Sequence, residues 1–353
     1  MTATLRHSQD ASVKSKPSPK GKVWPIAKRL LTYAFFIAVT VLLVMYARQV
    51  NWVQVWHSIR QYGWTAILMA VGLVVVSYIM YGFYDLIGRA YCRHKLGKRQ
   101  VMIVSFICYA FTLTLSTWVG GIGLRYRLYS RLGLESGTIT RIFSLSLATN
   151  WLGYILLAGI IFTAGLVKIP PHWYIGNMTL RMIGIGLVTF IAVYLLFCQF
   201  SKRRSWTIKG QNLNLPSLRM ACIQLVVSSI NWMAMGAIIY VLLGQKMDYV
   251  FVLGVLLISS FAGVITHIPA GIGVLEAVFV AFMGHELDQS YIIAALLAYR
   301  AIYFIAPLLI AIVVYFFMES RAKKIRARNE AKMEKQDEQA QAQAQAQAKG
   351  PAA

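Results

Sequence analysis

Long apolar stretches alternate along this chain with short polar loops, and the stretches are of two kinds. Six are unbroken: 30–47, 64–87, 142–167, 180–200, 220–243 and 291–318. At 1.5 Å per residue, helices of this length match a bilayer core of about 30 Å. The other two stretches are interrupted by nearly the same tetrapeptide. Residues 101–118 run into Gly120-Gly121-Ile122-Gly123 and resume as 124–134, while 250–266 run into Pro269-Ala270-Gly271-Ile272-Gly273 and resume as 274–284. Glycine amid apolar residues is tolerated in lipid only where the freed backbone is buried in protein or lines a cavity. The pattern predicts an all-α polytopic membrane protein with six full transmembrane helices and two re-entrant hairpins.

The polar positions orient the map. Lys28 and Arg29 precede the first span, and Arg89, Arg93, Lys95, Lys98 and Arg99 follow the second. Basic loops mark the cytoplasmic side. If residues 101–118 cross fully, Arg125, Arg127, Arg131, Arg141, Lys202, Arg203, Arg204 and Lys209 all end up outside; if the chain turns back at the glycines, all eight return to the cytoplasm. The hairpin satisfies the rule. Its return limb of 11 residues covers roughly 16 Å as helix, which suits a start near mid-bilayer. The acidic loop His285-Glu286-Leu287-Asp288 reads as outer, and the basic run after 318 as inner, so both termini are expected in the cytoplasm.

The order span, span, hairpin, span over about 30–167 recurs over about 180–318. With three crossings in each half, the second copy is inverted. Phe111 matches Phe261, Leu115 matches Ile265 and Ser116 matches Thr266 at the 150-residue offset that also relates the two glycine breaks. Such corresponding breaks in two halves point to a transporter's binding site, with tips converging near the midplane.

Composition agrees, at 58% hydrophobic and 13% charged residues. The net charge of +23 lies in tails and alternate loops, as topology predicts, and does not imply nucleic acid. Residues 1–23 read as a disordered basic tail, 24–318 as the transmembrane domain, and 319–353 as a charged tail ending in a Gln-Ala repeat. The four cysteines form no expected disulfide, the histidines have no metal spacing, and no nucleotide-binding or nucleophile motif is present. No cofactor is expected.

Charges inside apolar segments carry the chemistry, since each costs at least about 2.5 kcal/mol near mid-bilayer unless paired, hydrated or functional. Glu276 falls in the first turn after Gly273, with Arg300 in the last span as its expected partner; the pair either locks the hairpin or meets substrate. Arg125 follows Gly123, and Arg127 and Arg131 share a helical face. With the amides of Gly121, Gly123, Gly271 and Gly273, these arginines outline a site for phosphate. His267, beside the second tip, either relays a proton or is a hydrogen-bonded structural residue. Asp85 with Arg89 at i+4 reads as an interfacial helix pair, and Asn150 and Asn231 as interhelical hydrogen-bonding residues.

The run Ile268 to Ala277, Ile-Pro-Ala-Gly-Ile-Gly-Val-Leu-Glu-Ala, followed by Ala298-Tyr299-Arg300, resembles the signature of the transmembrane region of lysyl-phosphatidylglycerol synthases, the multiple peptide resistance factor family. Residues 24 to about 328 look like the stand-alone, YbhN-type inner-membrane branch of that family. The resemblance implies a flippase-type protein of the bacterial inner membrane and carries the family's glycines, glutamate and arginines to Gly271, Gly273, Glu276, Arg300 and Arg125. The first tip departs from the pattern, with Thr117-Trp118-Val119 where proline is common. The soluble aminoacyl-transferase part of the synthases has no counterpart here, so lysyl-phosphatidylglycerol synthesis is not expected. The leading expectation is a translocator of an anionic phospholipid; the alternative is a lipid-binding accessory or scaffold for a lipid-synthesising enzyme. An intramembrane enzyme using His267 and Glu276 ranks last, because no nucleophile or metal set accompanies them. Sequence leaves the oligomeric state unassigned.

Overall fold

The computed structural model describes residues 62–115, 117–167, 169, 176–201, 205–208, 211–266 and 273–318, with the isolated positions 41, 53 and 60. The first expected span, most of the segment 51–62, both tails, His267 and Gly271 lie outside the described residues. The elements named below fall within one compact unit.

Helix α1, Trp64–Cys92, ends where Arg93 turns into the left-handed region at φ 52°. Helix α2, Lys98–Thr114, begins at Gly97, whose N–H donates to Gln100 Oε1 at 3.3 Å. A π-helical segment, Thr117–Leu124, leads into the short α3, Arg125–Arg131. Then come α4, Ser136–Thr163, and α5, Asn177–Phe200. Helix α6, Leu218–Leu242, is capped by Ser217, whose hydroxyl oxygen accepts from the Met220 N–H. Helices α7, Tyr249–Thr266, and α8, Val274–Met283, follow. The last, α9, Gln289–Arg300, is capped by Asp288 and continues through a π-helical turn, Ala301–Ile305, to Met318.

Six of these helices are long and apolar enough to cross a membrane: α1, α4, α5, α6, α7 and the helix Gln289–Met318. Five coincide with spans read from sequence. The sixth, α7, is the limb expected to stop at mid-bilayer, and its 18 residues satisfy the length criterion for a full crossing. The fold is helical as expected, with one small addition. The basic loop after α5 carries an antiparallel β-hairpin, Ser205–Ile208 (β1) with Gln211–Asn214 (β2), in register Ser205 to Asn214. Helical hydropathy periods say nothing about a ten-residue loop hairpin of this kind.

Burial sorts the helices. The apolar window of α6 is 67% buried and that of α5 only 17%, so α6 is the centre and α5 a rim whose Met182, Phe190, Phe197 and Phe200 face outward to lipid. Helix α6 packs most extensively on α1, then on α4. The approach of α4 to α6 depends on small residues: a Cβ on Gly153 would fall on Ser228. Leu152, Ile191 and Leu225 form an apolar layer where α4, α5 and α6 meet.

In both glycine-interrupted stretches the limb after the glycines packs on the limb before them. Gly120 lies so close to Cys108, Phe111 and Thr112 that a Cβ there would collide with the α2 backbone, which brings residues eight to twelve apart in sequence into contact. Helix α8 likewise packs on α7. The first tip is wound rather than open, however. Its glycines belong to a π-helical run, because a wide turn lets the bare face of Gly120 seat on α2. At the second tip, Gly273 has φ +83°, a conformation that an L side chain resists.

Candidate functional site

Two ion pairs, one buried and one partly buried, stand beside the two tips. Arg125 opens α3 directly after the π-helical segment, and its side chain is 2% exposed. Its Nη1 lies 3.2 Å from Oδ1 of Asp85, which is fully buried on α1. The contact is one of charge rather than a hydrogen bond, since Nη1 and Nε find no hydrogen-bond acceptor among the described residues. Asp85 is better served: the Tyr129 hydroxyl donates to Oδ2 and the Ser146 hydroxyl to Oδ1, each at 2.8 Å. The guanidinium is roofed by the rings of Tyr109 at 5.2 Å and Phe143 at 5.7 Å. The i+4 reading of Asp85 with Arg89 is therefore replaced. Arg89 Nε donates to Leu96 O at 2.7 Å and closes the α1 to α2 turn, while Asp85 faces inward to Arg125.

The second pair has the expected partners. Arg300 Nε donates to Glu276 Oε1 at 2.6 Å and Nη2 to Oε2 at 3.0 Å, a two-pronged contact that fits the planar guanidinium. The Gly273 N–H also donates to Oε2, at 2.9 Å, so the carboxylate serves the otherwise unpaired start of α8. Glu276 remains 18% exposed and Arg300 6%. Arg300 immediately precedes the π-helical turn of the last helix. Carbonyls displaced by that turn are met by tertiary donors, the Tyr78 hydroxyl to Tyr303 O at 3.3 Å and Thr114 Oγ1 to Phe304 O at 3.4 Å. A π-helical turn so supported holds Arg300 toward α8.

Between the pairs runs a core of hydroxyls and amides, in which sequence reading found Asn150 and Asn231 but not the tyrosines and serines around them. The Ser77 hydroxyl donates to Asn231 Oδ1 at 2.6 Å and meets the Tyr303 hydroxyl at 2.8 Å, and Tyr303 reaches Tyr81 at 3.5 Å. Tyr84 donates to Ser228 Oγ at 3.1 Å, and Ser228 to Asn150 O at 3.1 Å. A crevice of about 240 Å³ opens beside this core, lined among others by Tyr81, Asn150, Trp232, Ser259, Leu275 and Tyr299. Leu275 and Tyr299 adjoin Glu276 and Arg300 in the chain, so the crevice borders the second pair. Tyrosines on α1 at i, i+3 and i+6 carry a weak sequence signal for this core; in an apolar window they read equally as lipid-facing aromatics.

The remaining expected site residues are dispersed. Arg127 Nε donates to the Tyr315 hydroxyl at 3.0 Å, tying α3 to the end of the last helix. Gly121 is buried against Phe143 and Thr117, and Gly123 is half-buried in the wound tip. Gly273 is exposed. His94, in the turn between α1 and α2, was not singled out from sequence. Burial, then the nearby charge of Arg89, pushes its imidazole down to about 4, and neither ring nitrogen has a hydrogen-bond partner among the described residues. No group of three or more metal-ligating side chains occurs among the described residues.

Comparison with known proteins places this architecture. Residues 31–311 match the family model described as the lysylphosphatidylglycerol synthase TM region. The chain is 66% identical over 320 residues to the inner membrane protein YbhN of Escherichia coli, covering 90% of this chain and all of that one. It is 24% identical to an uncharacterized protein of Synechocystis, over 71% of this chain and 82% of that one. Phosphatidylglycerol lysyltransferase of Staphylococcus aureus is 21% identical over 84% of this chain, but the match spans only 35% of that protein. The chain belongs to the lysylphosphatidylglycerol synthase transmembrane-region family and is an integral, multi-pass membrane protein.

Proposed function

We propose that this protein is a flippase-type phospholipid translocator of the bacterial inner membrane. In this reading the two doubled-back segments are re-entrant hairpins of an inverted repeat, and an anionic headgroup passes between them. The observation that carries the proposal is the Glu276–Arg300 pair beside a crevice walled by elements from both sequence halves. A lipid phosphate can replace the Glu276 carboxylate on the Arg300 fork, because both present paired oxygens to the same planar donors. Glu276 is released in that exchange and keeps its hydrogen bond to the start of α8. Arg125, sealed by Asp85, joins the path only if α3 shifts; Arg127, half-buried, guards its cytoplasmic edge. Acyl chains stay in lipid against the apolar rims. Both termini are cytoplasmic in this reading, which labelling of Arg127→Cys and Arg204→Cys from outside would overturn.

Purified protein in liposomes provides the test, with a labelled anionic phospholipid and a membrane-impermeant reagent that destroys label in the outer leaflet. Translocation leaves almost no protected label, Arg300→Ala restores the protected half, and a wild-type chain that leaves that half intact refutes the proposal. A chain that binds lipid without moving it, and that co-purifies with a lipid-synthesising enzyme, is instead the accessory protein. That second reading draws support from the lysyltransferase, in which the matching region is about a third of a longer chain.

A further inference from the structure

Where α4 ends and α5 begins, a second cavity of about 330 Å³ opens that shares no lining residue with the crevice beside Glu276 and Arg300. Phe162, Ala164 and Val167 wall it on the α4 side, and Asn177, Leu180 and Arg181 on the α5 side. Gly184, one turn beyond Arg181, rests its bare face on the end of α4, where a Cβ would fall 2.5 Å from the Thr163 backbone nitrogen. That close approach lets Arg181 Nε donate to Thr163 O at 2.9 Å, so the guanidinium is pinned at the cavity rather than trailing into solvent.

The pinned group is under-used. Nη1 and Nη2 of Arg181 donate to nothing among the described residues. Asn177 Oδ1 accepts from the Ile169 N–H at 2.8 Å, which leaves its amide NH2 to offer. The two polar side chains of this wall therefore have donors to spare. No carboxylate balances the arginine either: the sequence holds no Asp or Glu between Glu135 and Asp248, so α4, α5, α6 and the connections among them carry no negative side chain.

Depth says what meets those donors. Helix α5 has 24 residues, and Arg181 is its fifth. At 1.5 Å per residue α5 spans about 36 Å against a hydrocarbon core of about 30 Å, which sets Arg181 about 6 Å from the helix start, near the level of lipid phosphates. Leu166, Met178 and Met182 are exposed around it and present an apolar surface to acyl chains. A cation at this boundary needs a counter-charge or water, and a planar fork with unspent N–H groups fits a phosphate.

We infer that the cavity between α4 and α5 is a phosphate site, with Arg181 as its charged fork and the Asn177 amide as second donor. The phosphate is that of a phospholipid in the adjacent leaflet or the free anion. The wall selects the phosphate and not what it bears, since no carboxylate there meets an ammonium. The site stands whether or not the protein moves lipid.

Ala164→Cys puts a reporter thiol on the cavity wall. The full chain in maltoside micelles is alkylated with a maleimide at graded mole fractions of lipid, and labelling at position 164 is resolved by peptide mass spectrometry. Phosphatidylglycerol and phosphatidylethanolamine should both slow labelling, and phosphate-free diacylglycerol should not. Arg181→Gln should raise the half-protecting mole fraction by about tenfold, the effect of one charge-assisted hydrogen bond, and Arg181→Lys should restore part of it. Asn177→Leu leaves the contact with Thr163 in place, should raise it by about threefold, and serves if Arg181→Gln does not fold. Inorganic phosphate in place of lipid separates the sources: protection makes the free anion sufficient, its absence makes the lipid the ligand, and the phosphate requirement stands in both. Protection by diacylglycerol equal to that by phospholipid, protection unchanged by Arg181→Gln, or no protection by any phosphate-bearing probe overturns the inference. A chain that moves lipid without protection at position 164 loses this site alone, and a protected chain that moves none loses the translocation reading alone.

Discussion

Asp85–Arg125 and Glu276–Arg300 are the same chemistry in two settings. Each arginine adjoins a π-helical segment, and each carboxylate comes from a neighbouring helix. The first pair is sealed: both side chains are at most 2% exposed, two hydroxyls hold Asp85, and two rings cover Arg125. The second is two-pronged and shorter, yet its carboxylate is 18% exposed and shares itself with a backbone N–H. Good pair geometry therefore does not track burial here. The pair with the weaker direct contact is the one that its surroundings lock, and the pair with the stronger contact is the one whose carboxylate stays partly exposed. That contrast suggests a fixed half and an exchangeable half.

The largest effect should come from breaking the sealed pair. Asp85→Ala leaves an uncompensated buried guanidinium and should cost about 3–5 kcal/mol, read as a large fall in melting temperature of the detergent-solubilised protein. Asp85→Leu with Arg125→Met should regain most of that loss. A small effect from Asp85→Ala would remove the distinction between the halves. Glu276→Gln should cost about 2 kcal/mol, because the amide keeps one acceptor and solvent reaches the site. Lipid movement should nevertheless fall below a tenth of wild type. Equal losses of stability and movement would make the second pair structural as well.

The tips allow a finer contrast. Gly120→Ala should destabilise by about 1–3 kcal/mol, since its Cβ meets helix backbone that cannot yield. Gly273→Ala meets open space and should cost only about 1 kcal/mol, the penalty of a positive φ. The smallest effect belongs to His94. Its imidazole is held near 4 in the folded protein against an ordinary value of 6.5, so the unfolded chain binds more protons between those values. Stability is intact above about pH 6.5 and declines as pH falls toward 4, by about 1 kcal/mol once solvent screening is allowed for. His94→Phe should flatten melting temperature over that window, and an unchanged slope would place the titration elsewhere.

Much of the fold was legible because bilayer crossing is a constraint on local composition. Five spans and the Glu276–Arg300 pairing were readable from one chain. The partner of Arg125 was not. Asp85 has Arg89 four residues on, and helix periodicity favours that local pair; the long-range one exists because α3 folds back toward α1 across 40 residues of sequence. The wound first tip was hidden for a related reason, since an open turn and a π-helical run differ only in what the glycine face rests against. Asn150 was legible as an interhelical residue, but not as an acceptor without a donor.

By itself the sequence determined where the chain is apolar, where it is interrupted and where positive charge accumulates, since each is set by short-range transfer energies to lipid and water. Only the tertiary structure decided which ion pair is sealed, which keeps a partly exposed carboxylate and where hydrogen-bond acceptors are left over. Those depend on which helices cross, and crossing is a property of packing between residues far apart in the chain.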